Sequence, residues 1–339
     1  MSGAEGVKVT YENGVYLPEH DLWLDPMGKR RRLAFVSHAH SDHIGRHAGV
    51  ILTEGTRRVM RLRLGGEREE WVVPWLEEEE PAELPFLPGT RLGVLPAGHV
   101  IGSAQLYLET AAGSLLYTGD FKTRQGLAAE PLRWRRADTL IMETTFGLPK
   151  FRFPPLEEVL EAIVAFCREA LGRSRVPVLL CYSLGKAQET VCALSAAGLA
   201  PVLHQAAYRV CRIYSELMPG FPSGYALYKE GRPFASGEVL VAPPVMARKL
   251  ARENAGQFRT AILTGWALDP GARYRYGADA GFPLSDHAGY DDLLDYVEKV
   301  RPRRVFTHHG YAAAFATDLR ERGVEAWALN QENQLTLAF

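Results

Sequence analysis

The chain reads as an α/β protein in which a strand-rich core is interrupted by an inserted region of alternating helices and strands. Three observations predict this. Before residue 150, short apolar runs end in histidine or carboxylate clusters; from Pro154 the pattern changes to helices alternating with strands; near the end, an apolar strand again finishes in histidines. The expected division is 1–150 as the first part of the core, 151–265 as the insertion and 266–339 as the second part of the core.

The 339 residues suffice for such an insertion, and a net charge of −1 means that no global field drives the chain toward a polyanion. Any nucleic-acid surface must therefore be local. Cys167, Cys181, Cys192 and Cys211 have no CxxC spacing, which suits reduced thiols in a cytosolic protein. The N-terminus lacks a basic-then-apolar signal pattern, and the longest uncharged stretch, Thr190 to Tyr208, is interrupted by Gly198, Pro201 and His204. A cytoplasmic protein with no membrane partner is expected.

From Val7 to Asp25 apolar residues alternate, giving short strands joined at Glu12-Asn13-Gly14. Lys29-Arg30-Arg31-Arg32 follows, a basic run that suits either solvated surface or a phosphate track. The apolar run Leu33–Val36 then delivers Ser37-His38-Ala39-His40-Ser41-Asp42-His43. In a tight loop His38 and His40 can face one metal, while Asp42 and His43 turn toward a second; imidazole nitrogen and carboxylate oxygen are the donors that zinc, manganese and iron accept. A solvated turn would account for any one of these residues, but not for all four. Arg57, Arg58, Arg61 and Arg63 suit a half-exposed helix, a solvated face accounting for them at least as well as phosphate binding, and Trp71 to Thr90, with Glu77 to Glu80, reads as a loop containing a strand.

Gly98 and Gly102 let the backbone turn around His99. A lone histidine there would more often belong to the core. The next strand, however, ends in Thr118-Gly119-Asp120, where a carboxylate can bridge two cations. A further strand, Thr139 to Met142, leads to Glu143-Thr144-Thr145-Phe146-Gly147. Leu156, Val159, Leu160, Ile163, Cys167 and Leu171 follow a helical period, and Val176 to Cys181 is a buried strand. Ser183 to Gln188 opens a helix whose free amides can receive phosphate, a role in which Ser183 and Lys186 are candidates. Ala261 to Thr264 is expected to close the insertion. Leu284-Ser285-Asp286-His287-Ala288-Gly289-Tyr290 precedes an amphipathic helix, and a last strand, Arg304 to Thr307, ends in His308-His309-Gly310. On a strand these two histidines point to opposite sides, so only one reaches a common site.

These motifs together resemble the β-CASP nucleases of the metallo-β-lactamase superfamily, over nearly the whole chain. The resemblance implies a metallo-β-lactamase αββα sandwich carrying an inserted β-CASP α/β cap. It places His38, His40, His99 and Asp120 on one metal, Asp42, His43, Asp120 and His309 on the other, and Asp25 behind them as an orienting carboxylate. His309 rather than His308 follows because the family places its histidine just before the glycine. Two divalent ions, zinc or manganese, are implied, with a water that they activate as nucleophile. Asp120, Glu143 and His287 are the implied catalytic residues, His287 protonating the leaving oxygen with Glu143 accepting a hydrogen bond from its other nitrogen. Lys122 and Arg124 are candidates for flanking phosphates, a solvated loop accounting for them about as well.

The chain resembles in particular the bacterial ligase-associated DNA exonucleases. That likeness implies a DNA substrate, 3′-end direction, a role in repair and association with a DNA ligase or helicase. RNA processing is the alternative: cross-link repair members usually carry valine where this chain has His309, although many RNA-processing relatives append a KH-like domain. A lactonase or glyoxalase would share the metal motif but have no use for Glu143, His287 or the cap. An inactive scaffold subunit would have lost metal ligands that this chain retains.

Overall fold

The computed structural model describes residues 6–76, 80–247, 249–250 and 256–329. The first five residues, and Glu77, Glu78 and Glu79 of the acidic run, lie outside that range. The chain forms two compact units, one made of the residues up to Gln125, Ala129–Arg152 and those from His287 on, the other of Gly126–Ala128 and Phe153–Asp286.

The first unit is built on two sheets. One runs in spatial order through Thr10–Tyr11, Val15–Leu17, Leu22–Leu24, Leu33–Phe35, Gly49–Leu52 and Glu69–Val72, with its last three pairings parallel. The other runs from Glu325–Ala328 through Arg304–His308, Thr139–Glu143, Gly113–Tyr117, Ala104–Thr110 and Arg91–Pro96 to Ala82–Glu83. Alternation decides what lies between them. Leu24, Phe35 and Ile51 of the first sheet pack with Val94, Leu106, Leu115, Tyr117 and Ile141 of the second. The intervening residues Leu116, Leu140 and Met142 face the other way, onto the apolar stripes of Tyr290–Val300 and Ala312–Glu321. Glu54–Arg63 is the helix expected around Arg57–Arg63; it buries Val59 and Met60 and keeps its arginines outward, where Arg57 pairs with Glu54.

Parallel pairing places the ends of several strands side by side, and this positions the site. Thr139–Glu143 pairs in parallel with both Gly113–Tyr117 and Arg304–His308, with Glu143 opposite His308. Asp120, Glu143 and His309, far apart in the chain, therefore follow neighbouring strand ends.

The second unit is a six-stranded parallel sheet in the order Ala226–Leu227, Ala200–Leu203, Glu238–Ala242, Val176–Leu180, Phe258–Leu263, Ala280–Phe282. Its strands are near-continuous apolar runs, as a sheet covered on both faces requires, and Val178, Leu180, Val202, Leu240 and Ile262 form its core. Leu156–Gly172, Lys186–Ala196 and Gln205–Leu217 connect them. The expected boundary at 265 falls short. Ala280–Phe282 adds to this sheet beside Phe258–Leu263, so the unit continues to Asp286. That strand is only three residues long and glycine-centred, too weak a pattern to read in isolation. All four cysteines are free thiols, and burial pushes each up to about 12. No helix among the described residues is long and apolar enough to cross a membrane.

Candidate metal centre

The loop after Leu33–Phe35 folds back on Asp25, which follows the neighbouring strand and adopts a left-handed backbone at φ 45°. Its carboxylate gathers four donors: the Ser37 amide at 2.7 Å, the Ser37 hydroxyl at 2.5 Å, the Tyr117 hydroxyl at 2.8 Å and His43 Nδ1 at 3.0 Å. The chemistry of these groups settles the histidine tautomers. A carboxylate only accepts, so the Ser37 hydroxyl spends its proton on Asp25 and takes one from His38 Nδ1, 3.0 Å away. His38 and His43 are thereby both protonated on Nδ1, and both turn Nε2 toward the site, as ligand histidines held by outer partners do. Ser37 and Tyr117 carry no sequence signal beyond their strand positions. Tyr117 meets Asp25 only because the two sheets pack face to face.

Ser103 holds the His99 loop by accepting the His99 and Val100 amides at 3.1 Å each, and the Lys122 amide donates to Ala97 at 2.9 Å. Gly98 lies at φ 74°, and a β-carbon there would stand 2.3 Å from the Lys122 carbonyl oxygen. The His99 and Asp120 loops can lie this close only because the position is glycine.

The result is two groups of donors sharing Asp120. His38, His40, His99 and Asp120 each place one ligand atom within 4.8 Å of the others, as do His43, Asp120 and His309. His38 Nε2 and His99 Nε2 both lie 3.0 Å from His40 Nδ1, and Asp120 Oδ2 is 3.5 Å from His38 Nε2 and 3.9 Å from His99 Nε2. The same Oδ2 is 3.4 Å from His43 Nε2. A tetrahedral zinc with bonds of about 2.0–2.1 Å has ligand atoms roughly 3.3 Å apart, so the first group fits a divalent ion without rearrangement. The shared carboxylate suits a second ion alongside.

Electrostatics agree with an electron-rich centre. Burial would raise the Asp120 carboxyl, but His43, His287 and His38 hold it well below its ordinary value. Burial likewise opposes charge on His43, yet Asp120 and Asp25 lift it well above the usual imidazole range. Burial, with His43 nearby, keeps His38 well below that range. Neutral His38 is the form a metal binds.

His309 belongs to the cluster, and His308 is buried with its ring stacked on Tyr117 at 5.5 Å. The strand ends at His308, and His309 turns into the left-handed region at φ 57°, which aims it at Asp120. The Thr144 hydroxyl fixes that turn by donating to the His309 carbonyl at 2.7 Å. Asp42 departs from expectation: it is exposed, and among the described residues it belongs to no donor group, because the chain turns at Ser41–His43 with His43 inward.

Beside the cluster, Glu143 is fully buried and accepts His287 Nδ1–H at 2.8 Å, the Phe121 amide at 3.2 Å and the Thr145 amide at 3.0 Å. The His287 ring lies 4.7 Å from that of His99. The Lys122 side chain is 1% exposed and Arg124 pairs with Asp292 at 3.3 Å, so neither presents a bare charge on a loop surface. In the second unit Ser183 is half-buried before the helix, and the Lys186 ammonium is buried in an ion pair with Asp286. That partner is 100 residues distant and could not be read from the helix start.

One buried histidine near the centre serves structure. His47 Nδ1 accepts the Arg31 amide at 3.2 Å and Nε2 donates to the Pro26 carbonyl at 3.1 Å, an arrangement that only the neutral ring satisfies. Burial, despite that carbonyl, lowers its affinity for protons. A depressed histidine stabilises the fold above the unfolded value of about 6.5, and this contribution is lost as pH falls below it, where the unfolded chain takes up the proton first. His47→Leu is therefore expected to cost about 1–3 kcal/mol at pH 7.5. In denaturant melts the gap from wild type should narrow at pH 5.5; a constant gap would rule out this role.

A centre of this kind, with donors that could hold metal on adjoining strand ends of a two-sheet sandwich, is the arrangement of the metallo-β-lactamase fold. Residues 281–329 match a family described as the Zn-dependent metallo-hydrolase RNA specificity domain. A protein of Opitutus terrae described as a probable DNA ligase is 46% identical over 333 residues, 98% of this chain and 32% of that protein. The DNA cross-link repair protein SNM1 of Arabidopsis thaliana is 24% identical over 80% of this chain and 59% of its own length. The mouse 5′ exonuclease Apollo is 28% identical over 51% of this chain and 34% of its own. The chain thus spans about a third to three-fifths of these relatives. Together with the two-sheet sandwich and the second parallel sheet, these matches indicate the metallo-β-lactamase/β-CASP fold.

Proposed function

We propose that the chain is a metal-dependent phosphodiesterase that degrades DNA from an end. The observation that carries this is the Glu143–His287 pair set against the donor cluster. Two divalent cations, when bound, acidify a water and offset the charge of a phosphate. The chain's own residues supply the rest. Asp25, through Ser37 and directly, holds His38 and His43 in the tautomer that faces the centre. Glu143, already held by two backbone amides, fixes His287 through Nδ1 and leaves Nε2 to carry a proton to the departing oxygen. The alcohol displaced from a phosphodiester would leave as a poor alkoxide and needs that proton, whereas a thiolate departs without one, which is why the pair favours phosphodiester over thioester hydrolysis.

DNA is favoured by the relative described as a DNA ligase, in which a segment like this chain and a joining segment would act on the same ends. Association with a ligase or helicase, a repair role and a cytoplasmic location are part of the same reading. RNA is the second reading, because residues 281–329 match a domain named for RNA specificity. The proposed direction is from the 3′ end, as the likeness to ligase-associated exonucleases implies; the relative described as a 5′ exonuclease points the other way. Single-stranded DNA and RNA of one sequence, labelled at either end and incubated with zinc or manganese, distinguish these readings. The expected result is a ladder shrinking from the 3′ end of DNA, at least about tenfold faster than RNA, a margin of roughly 1.4 kcal/mol. Faster loss of RNA would transfer the proposal to that substrate.

A further inference from the structure

Residues 130–133 supply no donor to the centre just described, yet they run alongside the loop that carries His99. The Arg133 amide donates to the Pro96 carbonyl at 3.1 Å, and Leu132 lies so near that a β-carbon on Gly98 would meet it at 3.4 Å. Glu130 reaches the far end of the same loop, its carboxylate accepting the Gly102 amide at 2.9 Å. Between them, the Gln105 side-chain amide ties the two stretches together by donating to the Pro96 carbonyl at 3.0 Å and the Arg133 carbonyl at 2.6 Å.

Gly102 stands three residues after His99, and both of its backbone groups are taken. Its carbonyl accepts the Thr53 hydroxyl at 2.5 Å and the Thr56 hydroxyl at 2.9 Å, at the start of the helix Glu54–Arg63. The approach is close enough that a β-carbon on Gly102, which lies at φ 72°, would stand 2.5 Å from the Thr56 amide nitrogen. Glu130 differs from these neutral contacts. It is a half-buried carboxylate with no cation paired to it among the described residues, and besides the Gly102 amide its own amide is the group that favours its charge. Burial lifts its carboxyl above the ordinary value against both. A charge-assisted hydrogen bond is roughly twice as strong as a neutral one, so Glu130 commits a partly desolvated charge to holding one backbone amide of the His99 loop. Such a hold matters where a ligand must stay within about 0.5 Å of its productive position.

We infer that Glu130 is a positioning residue of the metal centre: through the Gly102 amide it fixes the loop that aims His99, and so raises affinity for the ion that His38, His40, His99 and Asp120 would hold. Its own carboxylate belongs to no donor group among the described residues. The inference rests on the reading of His99 as a ligand.

The test measures zinc binding by the full chain in competition with a chromophoric chelator. Wild type is compared with His99→Ala, Glu130→Ala, Glu130→Gln and the double variant His99→Ala/Glu130→Ala. Glu130→Ala is expected to weaken one ion about 10–100-fold, the usual scale for losing an outer partner, and to leave the other unchanged. Glu130→Gln still offers an oxygen to the Gly102 amide and should recover part of that loss. With His99 gone, three donors retain a weaker affinity, and Glu130→Ala should not lower it further, because its influence runs through His99. Glu130→Asp, which keeps the charge but withdraws it from Gly102 by one methylene, makes the same comparison should Glu130→Ala not fold. Wild-type zinc binding by Glu130→Ala, equal weakening of both ions, no recovery by Glu130→Gln, or additive losses in the double variant would each overturn the inference. His99→Ala separates the failures: if it binds both ions as wild type does, the reading of the centre falls as well, and if it loses one while Glu130→Ala loses none, only the role of Glu130 falls.

Discussion

His287→Ala is expected to lower cleavage of an unactivated phosphodiester by about a hundredfold or more, the usual scale for a lost general acid, while the metal content stays unchanged. The geometry separates these effects. His287 reaches Glu143 at 2.8 Å, and Glu143 keeps two backbone amides without it, so the replacement removes the proton donor and leaves the donor cluster standing. An ester of a nitrophenol departs without protonation, and the variant should cleave it nearly as fast as wild type. Glu143→Gln should fall with His287→Ala on the natural substrate, because a neutral amide no longer favours the imidazolium. Equal losses on both substrates would mean that His287 holds metal or structure, and the acid role would be withdrawn.

A larger loss is expected at Asp120. Its Oδ2 stands between His38 and His99 on one side and His43 on the other, so Asp120→Asn removes the one anionic donor common to both groups. The protein should bind fewer than two ions, and cleavage should fall beyond the roughly 10–100-fold typical of losing an outer partner. Asp25→Asn provides that comparison within the same centre. It leaves every donor of the cluster in place but loosens the orientation of His38 and His43, so an intermediate drop in metal affinity is expected. Metal analysis and rates for the two variants side by side test this order. An Asp120→Asn protein that keeps two ions and full activity would rule out the shared-carboxylate arrangement.

Much of this was legible in the chain before any folding. Three imidazoles within six residues at a strand end, a carboxylate after Thr118-Gly119 and an acid after Thr139–Met142 are local statements about residue type and spacing, and metal chemistry reads them directly. The helix periods and strand runs of both units were local in the same way. What tertiary structure alone decided depends on register between distant strands. Sheet packing brought Tyr117 onto Asp25, 92 residues away, and so completed the network that sets the histidine tautomers. A left-handed turn, rather than strand alternation, aimed His309 at Asp120 and left His308 stacked on Tyr117. The turn at Ser41–His43 kept Asp42 in solvent, and Asp286 claimed Lys186 across 100 residues. Spacing along the chain determines which donors are available near a strand end; which of them meet is determined by pairing and packing, whose partners no local window contains.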